Sequence, residues 1–334
     1  MRNNNEMLYL HGLGHFHPDN IITNHFLDEL DIGSSDEWIL ERVGIRTRRT
    51  SLPLDYIRTT KNHDPRAAAE ASQYTNAQAG AAAARMALER ARVKPTDIGL
   101  LISGTSASQY MIPAEATTIA AELNIDVPCF DLNSACSTFG MHISILSDMK
   151  PERLPPFILV VNPETLTHAV NYSDRKTAPL FGDGSSAAVV SASVPSPMLF
   201  EACRFESTPA SWNKVTIPRF GHFEQDGNAV QGFAIRKTTA SVKKLKDAFP
   251  ITSSKFKFVG HQANLLMLTT VCERCSISDE NHWHNVVDFG NTGCASAPCV
   301  LSQHWDAFSP GDHIALVVVG SGLTWVHTML RILE

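Results

Sequence analysis

The chain has 334 residues, 43% of them hydrophobic and 19% charged, with a net charge of −6. That length suits one large domain or two of ordinary size, with enough apolar content for a sizeable core and too much for long disorder. The acidic balance argues against nucleic acid as a main partner, and no stretch nears the roughly 18 apolar residues of a membrane span. The opening "MRNNNEMLYLHGLGHF" has no apolar segment of the kind a signal peptide needs. Seven cysteines, an odd number in a long chain, fit a reducing compartment better than a disulfide framework. A cytoplasmic location is expected.

In chain order, the Ala-rich stretch 65–92 reads as helix. "DIGLLISGTS" (97–106) reads as a buried strand ending in a polar loop, and "IDVPCFDLNSA" as a short strand. It leads to Cys136, set among small polar residues just before an apolar run. Most free cysteines are inert core residues, but a helix start favours a thiolate and offers free N–H groups to an oxyanion. Cys136 therefore reads equally as a packed thiol and as a nucleophile. "PPFILVVNPE" and "GSSAAVVSAS" read as strands, and 233–249 as an amphipathic helix with basic residues on one side. Its Lys237, Lys244 and Lys243 lie close on a helical wheel, either as an ordinary solvated face or as a docking patch for an acidic protein.

"KFKFVGHQAN" is a strand that delivers His261 to its end, and "GNTGCASAP" carries Asn291 at a turn before a helix. Each could be a packed or turn residue. Together with Cys136 they supply the nucleophile and proton handler that thiol acyl transfer needs. "HIALVVVGSG" is a last buried strand. Alternating strands and helices imply an α/β architecture with covered sheets. Thr105 precedes Cys136 by 31 positions and His261 precedes Asn291 by 30, which suggests two halves on one plan. "CERC" at 272–275 with His282 and His284 has zinc-like residue types, although cysteines three apart on a helix also suit a packed face.

These pieces in this order resemble the β-ketoacyl-acyl carrier protein synthase III family of the thiolase superfamily. "SSDEWILERVGIRTRR" looks like its entry segment and "DLNSACSTF" its nucleophile motif. "LFGDGSSAAVV", "GHQANLLML", "FGNTGCASAP" and "GSGLTWV" look like the motifs that follow. The resemblance implies a five-layer αβαβα fold from two similar halves, 1–195 with the nucleophile and 196–334 with the His and Asn, and a homodimer. It implies Cys136 as the acylated residue, and the N–H groups of Cys136 and Ser321 as an oxyanion hole. His261 and Asn291 would stabilise the enolate of a malonyl- or β-ketoacyl-type thioester. Trp38, Arg42 and Arg175 would line the entrance or hold a CoA nucleotide, with Asn228 and Asn264 on pantetheine. No cofactor or metal is implied, CoA or carrier-bound thioesters being the substrates. Departures are Leu266, where a basic residue is usual, Val326, where glycine is usual, Ser321 within the glycine loop, and a longer segment over 51–80. These point toward joining acyl chains in secondary metabolism. Acyl transfer to oxygen or nitrogen and a non-catalytic partner subunit are the competing readings.

Overall fold

The computed structural model describes residues 7–249 and 251–334. Its nine main strands are β1 (Leu8–Phe16), β2 (Ile98–Ser103), β3 (Cys129–Asp131), β4 (Phe157–Glu164), β5 (Gly184–Ser191), β6 (Met198–Ser207), β7 (Phe256–Gly260), β8 (His313–Gly320) and β9 (Thr324–Ile332). They run in the order β7-β8-β9-β6-β1-β5-β4-β2-β3. Seven helices matter for the site. They are α1 (Asp36–Val43), α2 (Asn76–Ala91), α3 (Glu115–Glu122), α4 (Thr138–Asp148), α5 (Gly227–Ala248), α6 (Leu265–Cys275) and α7 (Ser296–Gln303).

The sheet divides into two runs of the same design. In the first, β2 pairs in parallel with β3 and β4, while β5 is antiparallel to β4 and to β1. In the second, β7 is parallel to β8, and β9 is antiparallel to β8 and to β6. The counterpart of β3 is reduced to one parallel bridge, Phe258 to His282. Three antiparallel pairs between β1 and β6, from Leu8–Phe200 to Leu10–Met198, join the runs.

Five layers result. Helices α2 and α3 cover one outer face, with Ala83, Ala84, Ala87 and Ile119 against Leu159 and Val189. Helices α5 and α6 cover the other, with Val242, Leu245 and Leu268 against Ala315 and Val317. Between the sheets lie α4 and α7, whose Phe139, Ile143, Val300 and Leu301 meet apolar residues of both sheets. Nine of the eleven residues of α4 are buried, as a helix between two sheets requires. This is the thiolase fold.

One element differs from the sequence reading, and another, β1, was not read from it. The stretch 65–92 is two helices, Pro65–Ala71 and α2, because Thr75 starts α2 afresh. Its hydroxyl accepts from the Gln78 N–H at 3.1 Å, and the Gln78 side chain accepts from the Thr75 N–H at 3.0 Å. Strand β1 carries two glycines that would otherwise weaken a strand. A Cβ on Gly12 would stand 2.2 Å from the Ala87 carbonyl oxygen, and one on Gly14 1.9 Å from that of Ala83. The alanines of α2 and the glycines of β1 are thus one device for close packing.

The repetition extends to the turns. Cys136 is the middle of a 3-10 turn, Ala135–Ser137, that runs into α4, and Cys294 is the middle of a 3-10 turn, Gly293–Ala295, that runs into α7. Both turns open on a left-handed residue, Ala135 at φ 47° and Gly293 at φ 56°.

Candidate active site

The Cys136 turn is held by its own polar residues. The Ala135 N–H donates to Asn133 Oδ1 at 2.8 Å, and the Ser134 N–H to Thr138 Oγ1 at 2.8 Å. The Thr138 hydroxyl donates to the Ala135 carbonyl at 2.6 Å. Left-handed backbone at a residue with a Cβ costs roughly 1–3 kcal/mol and survives where its surroundings over-determine it. Here it lifts Cys136 out of the helix start into a cavity of about 240 Å³. The thiolate expected at this helix start is not the resting form. Burial, and then the negative charge of Glu164, push the thiol up to about 12. Cys136 is half-buried and borders the cavity, and desolvation of its thiol outweighs the helix terminus.

The same cavity is lined by His261, Asn291, Ser321, Arg42, Asn228 and Asn264, together with Lys176, Leu180, Phe223 and Gln225. His261 leaves the end of β7 and is 8% exposed. Burial lowers it to about 4, so the imidazole is neutral at about pH 7 and carries one N–H. Asn291 is oriented by its own loop. Its Oδ1 accepts from the Gly293 N–H at 2.9 Å, and its backbone N–H donates to Leu180 at 2.8 Å. Because a backbone N–H occupies the oxygen, the amide nitrogen is the end left to donate.

Ser321 sits in the turn after β8. That turn is pinned to the Cys136 turn by hydroxyls, with Ser137 Oγ and Thr324 Oγ1 2.8 Å apart and Ser137 Oγ and Ser134 Oγ 2.9 Å apart. The Ser321 hydroxyl bonds the Val215 carbonyl, so it is the backbone N–H that remains for an incoming oxygen. Asn264 caps α6, its Oδ1 accepting from the Met267 N–H at 2.8 Å, which likewise leaves its amide nitrogen available. Asn228 stands in the first turn of α5 and is exposed.

Trp38 and Arg175 are not in the cavity wall. They form a cluster beside it, in which the Arg42 and Arg175 guanidinium carbons lie 4.8 and 5.3 Å from the Trp38 ring centroid. Arg175 also donates to the Gly33 carbonyl at 3.0 Å.

The three lysines of α5 do not make one face. The Lys237 ammonium lies 3.7 Å from the Trp325 ring centroid, so its charge is packed on β9. Lys243 and Lys244 are both exposed, so neither shares the packed setting of Lys237. A wheel spaces residues about one axis but does not show which neighbours each side chain meets. Cys272 and Cys275 lie on the buried face of α6 among Val242, Leu245 and Phe256, as packed thiols. Among the described residues, no three His, Cys, Asp or Glu side chains group as metal ligands. Val326 fits because a glycine faces it, since a Cβ on Gly140 would be 2.8 Å from Val326 Cβ.

Glu164, Thr324 and Lys176 were not singled out from sequence. Glu164 was findable by the rule that exposed His261, a polar residue ending a buried strand. Thr324 and Lys176 carried no local signal.

A thiol, an imidazole and an amide converging between the halves of a thiolase fold define a condensing enzyme. Residues 130–205 match the family model of 3-oxoacyl-[acyl-carrier-protein (ACP)] synthase III, and residues 254–332 match its C-terminal model. The β-ketoacyl-[acyl-carrier-protein] synthase III of Campylobacter fetus is 29% identical, over 96% of this chain and 96% of the relative. The crystal structure of the synthase III of Aquifex aeolicus superposes with a TM-score of 0.85 at 27% identity, covering 97% of this chain and 99% of that one. The priming β-ketosynthase of the R1128 polyketide pathway superposes at 0.82 with 27% identity, covering 97% and 96%. Along nearly its whole length the chain is similar to members of the 3-oxoacyl-acyl carrier protein synthase III family.

Proposed function

We propose that the chain performs a decarboxylative Claisen condensation, with residues 1–195 supplying the nucleophile and 196–334 the donors. The Cys136 sulfur bonds the acyl carbon of a first thioester, whose own carbon–sulfur bond breaks and whose thiol leaves with the proton. A malonyl-type thioester then enters and loses CO2, leaving the enolate of its thioester. The neutral His261 and the Asn291 amide donate to its carbonyl oxygen and stabilise the enolate. The enolate carbon attacks the acyl carbonyl, whose oxygen is held by the N–H groups of Cys136 and Ser321, and the Cys136 sulfur leaves. Neutral donors suit this step, because a full positive charge on His261 would give up its proton to the enolate.

The observation that carries the reading is the single cavity shared by Cys136, His261 and Asn291. Retention of Asn291 with an oriented amide favours condensation over transfer to oxygen or nitrogen, and retention of Cys136 argues against a non-catalytic subunit. The Trp38–Arg42–Arg175 cluster offers an aromatic face and two cations to a nucleotide, which supports CoA as a donor beside acyl carrier protein.

A homodimer is supported by the edge strand β3, where Phe130 is 42% exposed, and by the apolar tip Tyr110–Ile112, with Ile112 86% exposed. Seven free thiols fit a cytoplasmic setting. Among the described residues no helix is long and apolar enough to cross a membrane.

The test is intact-protein mass spectrometry after incubation with a panel of acyl-CoA and acyl-carrier thioesters, followed by malonyl thioesters. The mass gained identifies the acyl group, and its loss in Cys136→Ala identifies the site. Loading on another residue, or loading without a β-keto product from any extender, sinks the reading.

A further inference from the structure

The cavity that holds Cys136 runs from an enclosed end to an open one. His261 and Asn291 on its wall are buried, whereas Arg42, Lys176, Gln225 and Asn228 on the same wall are exposed. The described wall carries two cations, Arg42 and Lys176, and no Asp or Glu. The chain as a whole has a net charge of −6, so a wall with positive charge alone is a local feature.

The cations around this mouth differ in what already occupies them. The Arg42 guanidinium lies 4.8 Å from the Trp38 ring centroid. Arg175 faces the same ring and donates to the Gly33 carbonyl at 3.0 Å. The next residue, Lys176, lines the cavity instead, and its ammonium has no hydrogen bond, ion pair or ring contact among the described residues. Its backbone, by contrast, is fixed. The Lys176 N–H donates to Asp174 Oδ1 at 2.9 Å, the Thr177 hydroxyl to Asp174 Oδ2 at 2.9 Å, and the Ala178 N–H to the Asp174 carbonyl at 3.0 Å. A free ammonium on an anchored turn is placed for an anion that arrives with the substrate.

CoA and carrier-bound thioesters share one such anion. Both present their sulfur on pantetheine, a chain with two amide groups that ends in the 4′-phosphate. With the sulfur at Cys136, that phosphate lies at the far end of the arm, toward the open mouth, and the amide side chains of Gln225, Asn228 and Asn264 line the same cavity. The carboxylate of a malonyl group fits Lys176 less well. It stands beside the thioester, at the enclosed end, and an ammonium paired with it would oppose its loss as CO2.

We propose that Lys176 binds the 4′-phosphate of the pantetheine arm and makes the site selective for phosphorylated donors, from CoA or from a carrier protein. The inference rests on the reading that the site takes pantetheine-borne thioesters. It gives both kinds of donor one contact in common, whereas the Trp38 cluster serves a nucleotide, which a carrier protein lacks.

The test uses two thioethers, S-butyl-4′-phosphopantetheine and S-butyl-pantetheine. They differ by the phosphate alone and cannot acylate Cys136, so the result does not depend on catalysis. Titration calorimetry measures both affinities. In the unsubstituted protein the phosphorylated thioether binds tighter by about tenfold, and added salt erodes the difference. Lys176→Ala removes most of that difference and leaves the affinity for the unphosphorylated thioether unchanged, while Lys176→Arg keeps the difference. A difference that survives in Lys176→Ala overturns the proposal, as does an equal loss of affinity for both thioethers. Equal binding of the two by the unsubstituted protein overturns this proposal alone. If neither thioether binds, the pantetheine reading itself falls and takes the proposal with it.

Discussion

Gly320 and Ser134 meet backbone to backbone: a Cβ on Gly320 would lie 2.7 Å from the Ser134 carbonyl oxygen and 2.8 Å from the Ser137 nitrogen. One residue ends a strand of the second half and the other stands two positions before Cys136, so this contact sets the gap between the two turns. Gly320→Ala should push the Ser321 N–H away from the acyl oxygen and slow loading by about a hundredfold, the usual scale for one lost oxyanion donor. The rate of mass gain from an acyl thioester measures it. Loading at the unsubstituted rate would show that the Ser321 turn takes no part.

His261→Ala and Asn291→Ala should still acquire the acyl group but condense more slowly by about 10²–10³ each. Single-turnover loading and steady-state β-keto product separate the two steps. Equal losses in both steps would refute the assignment of these residues to the enolate.

Acid should unfold the protein early. Burial holds His17 at about 3 and His142, His261, His282 and His327 at about 4. Unfolded, each binds a proton near pH 6.5, so below that value the unfolded chain takes up more protons than the folded one. The stability these groups allow is complete above about pH 6.5 and falls as pH drops toward 4. Melting temperature measured across that window should decline steadily, and a flat profile from pH 7 to pH 4 would falsify the prediction.

Gly14→Ala should destabilise the fold by about 1–3 kcal/mol or more, because the added methyl meets the backbone of α2 rather than a flexible side chain. Denaturant midpoints measure it, with Lys243→Ala on the exposed face of α5 as a control expected to stay within about 0.5 kcal/mol.

If α5 docks an acidic carrier protein, Lys244→Glu should raise the apparent KM for a carrier-bound donor and leave a small free thioester unaffected. Lys237→Glu should instead lower stability, since its ammonium lies on Trp325. Comparing KM for both donors with melting temperature distinguishes the two lysines. An unchanged carrier KM in Lys244→Glu would leave that face without a docking role.

The layers were legible because most of the strands are continuous apolar runs ended by Gly, Pro or polar loops, as in "FILVVNPE" and "HIALVVVGSG". Strand β1 was not, because its apolar pattern is broken by Gly12 and Gly14, whose purpose appears only when α2 lies against them. At the site, Cys136, His261 and Asn291 stood out as polar residues at strand ends and turns. The ionisation of Cys136 and His261 did not, because it depends on enclosure and, for Cys136, also on Glu164, 28 positions away in sequence. The lysines of α5 misled for a related reason: spacing places side chains about an axis and is blind to an aromatic ring on the next strand.

The paired turns at Cys136 and Cys294 have a consequence for how such a site arises. The molecule builds one cradle for a cysteine twice, with a left-handed residue ahead of it, Ala135 or Gly293, and a buried helix behind. One copy opens on a cavity. The other is sealed, with Cys294 at 1% exposure and its thiol bonded to the Gly104 carbonyl. What separates the two cysteines here is access to space, not the residue or its turn. Reactivity in this chain is therefore a property of where the protein leaves a gap, and a change that opened the second cradle would give it two candidate nucleophiles.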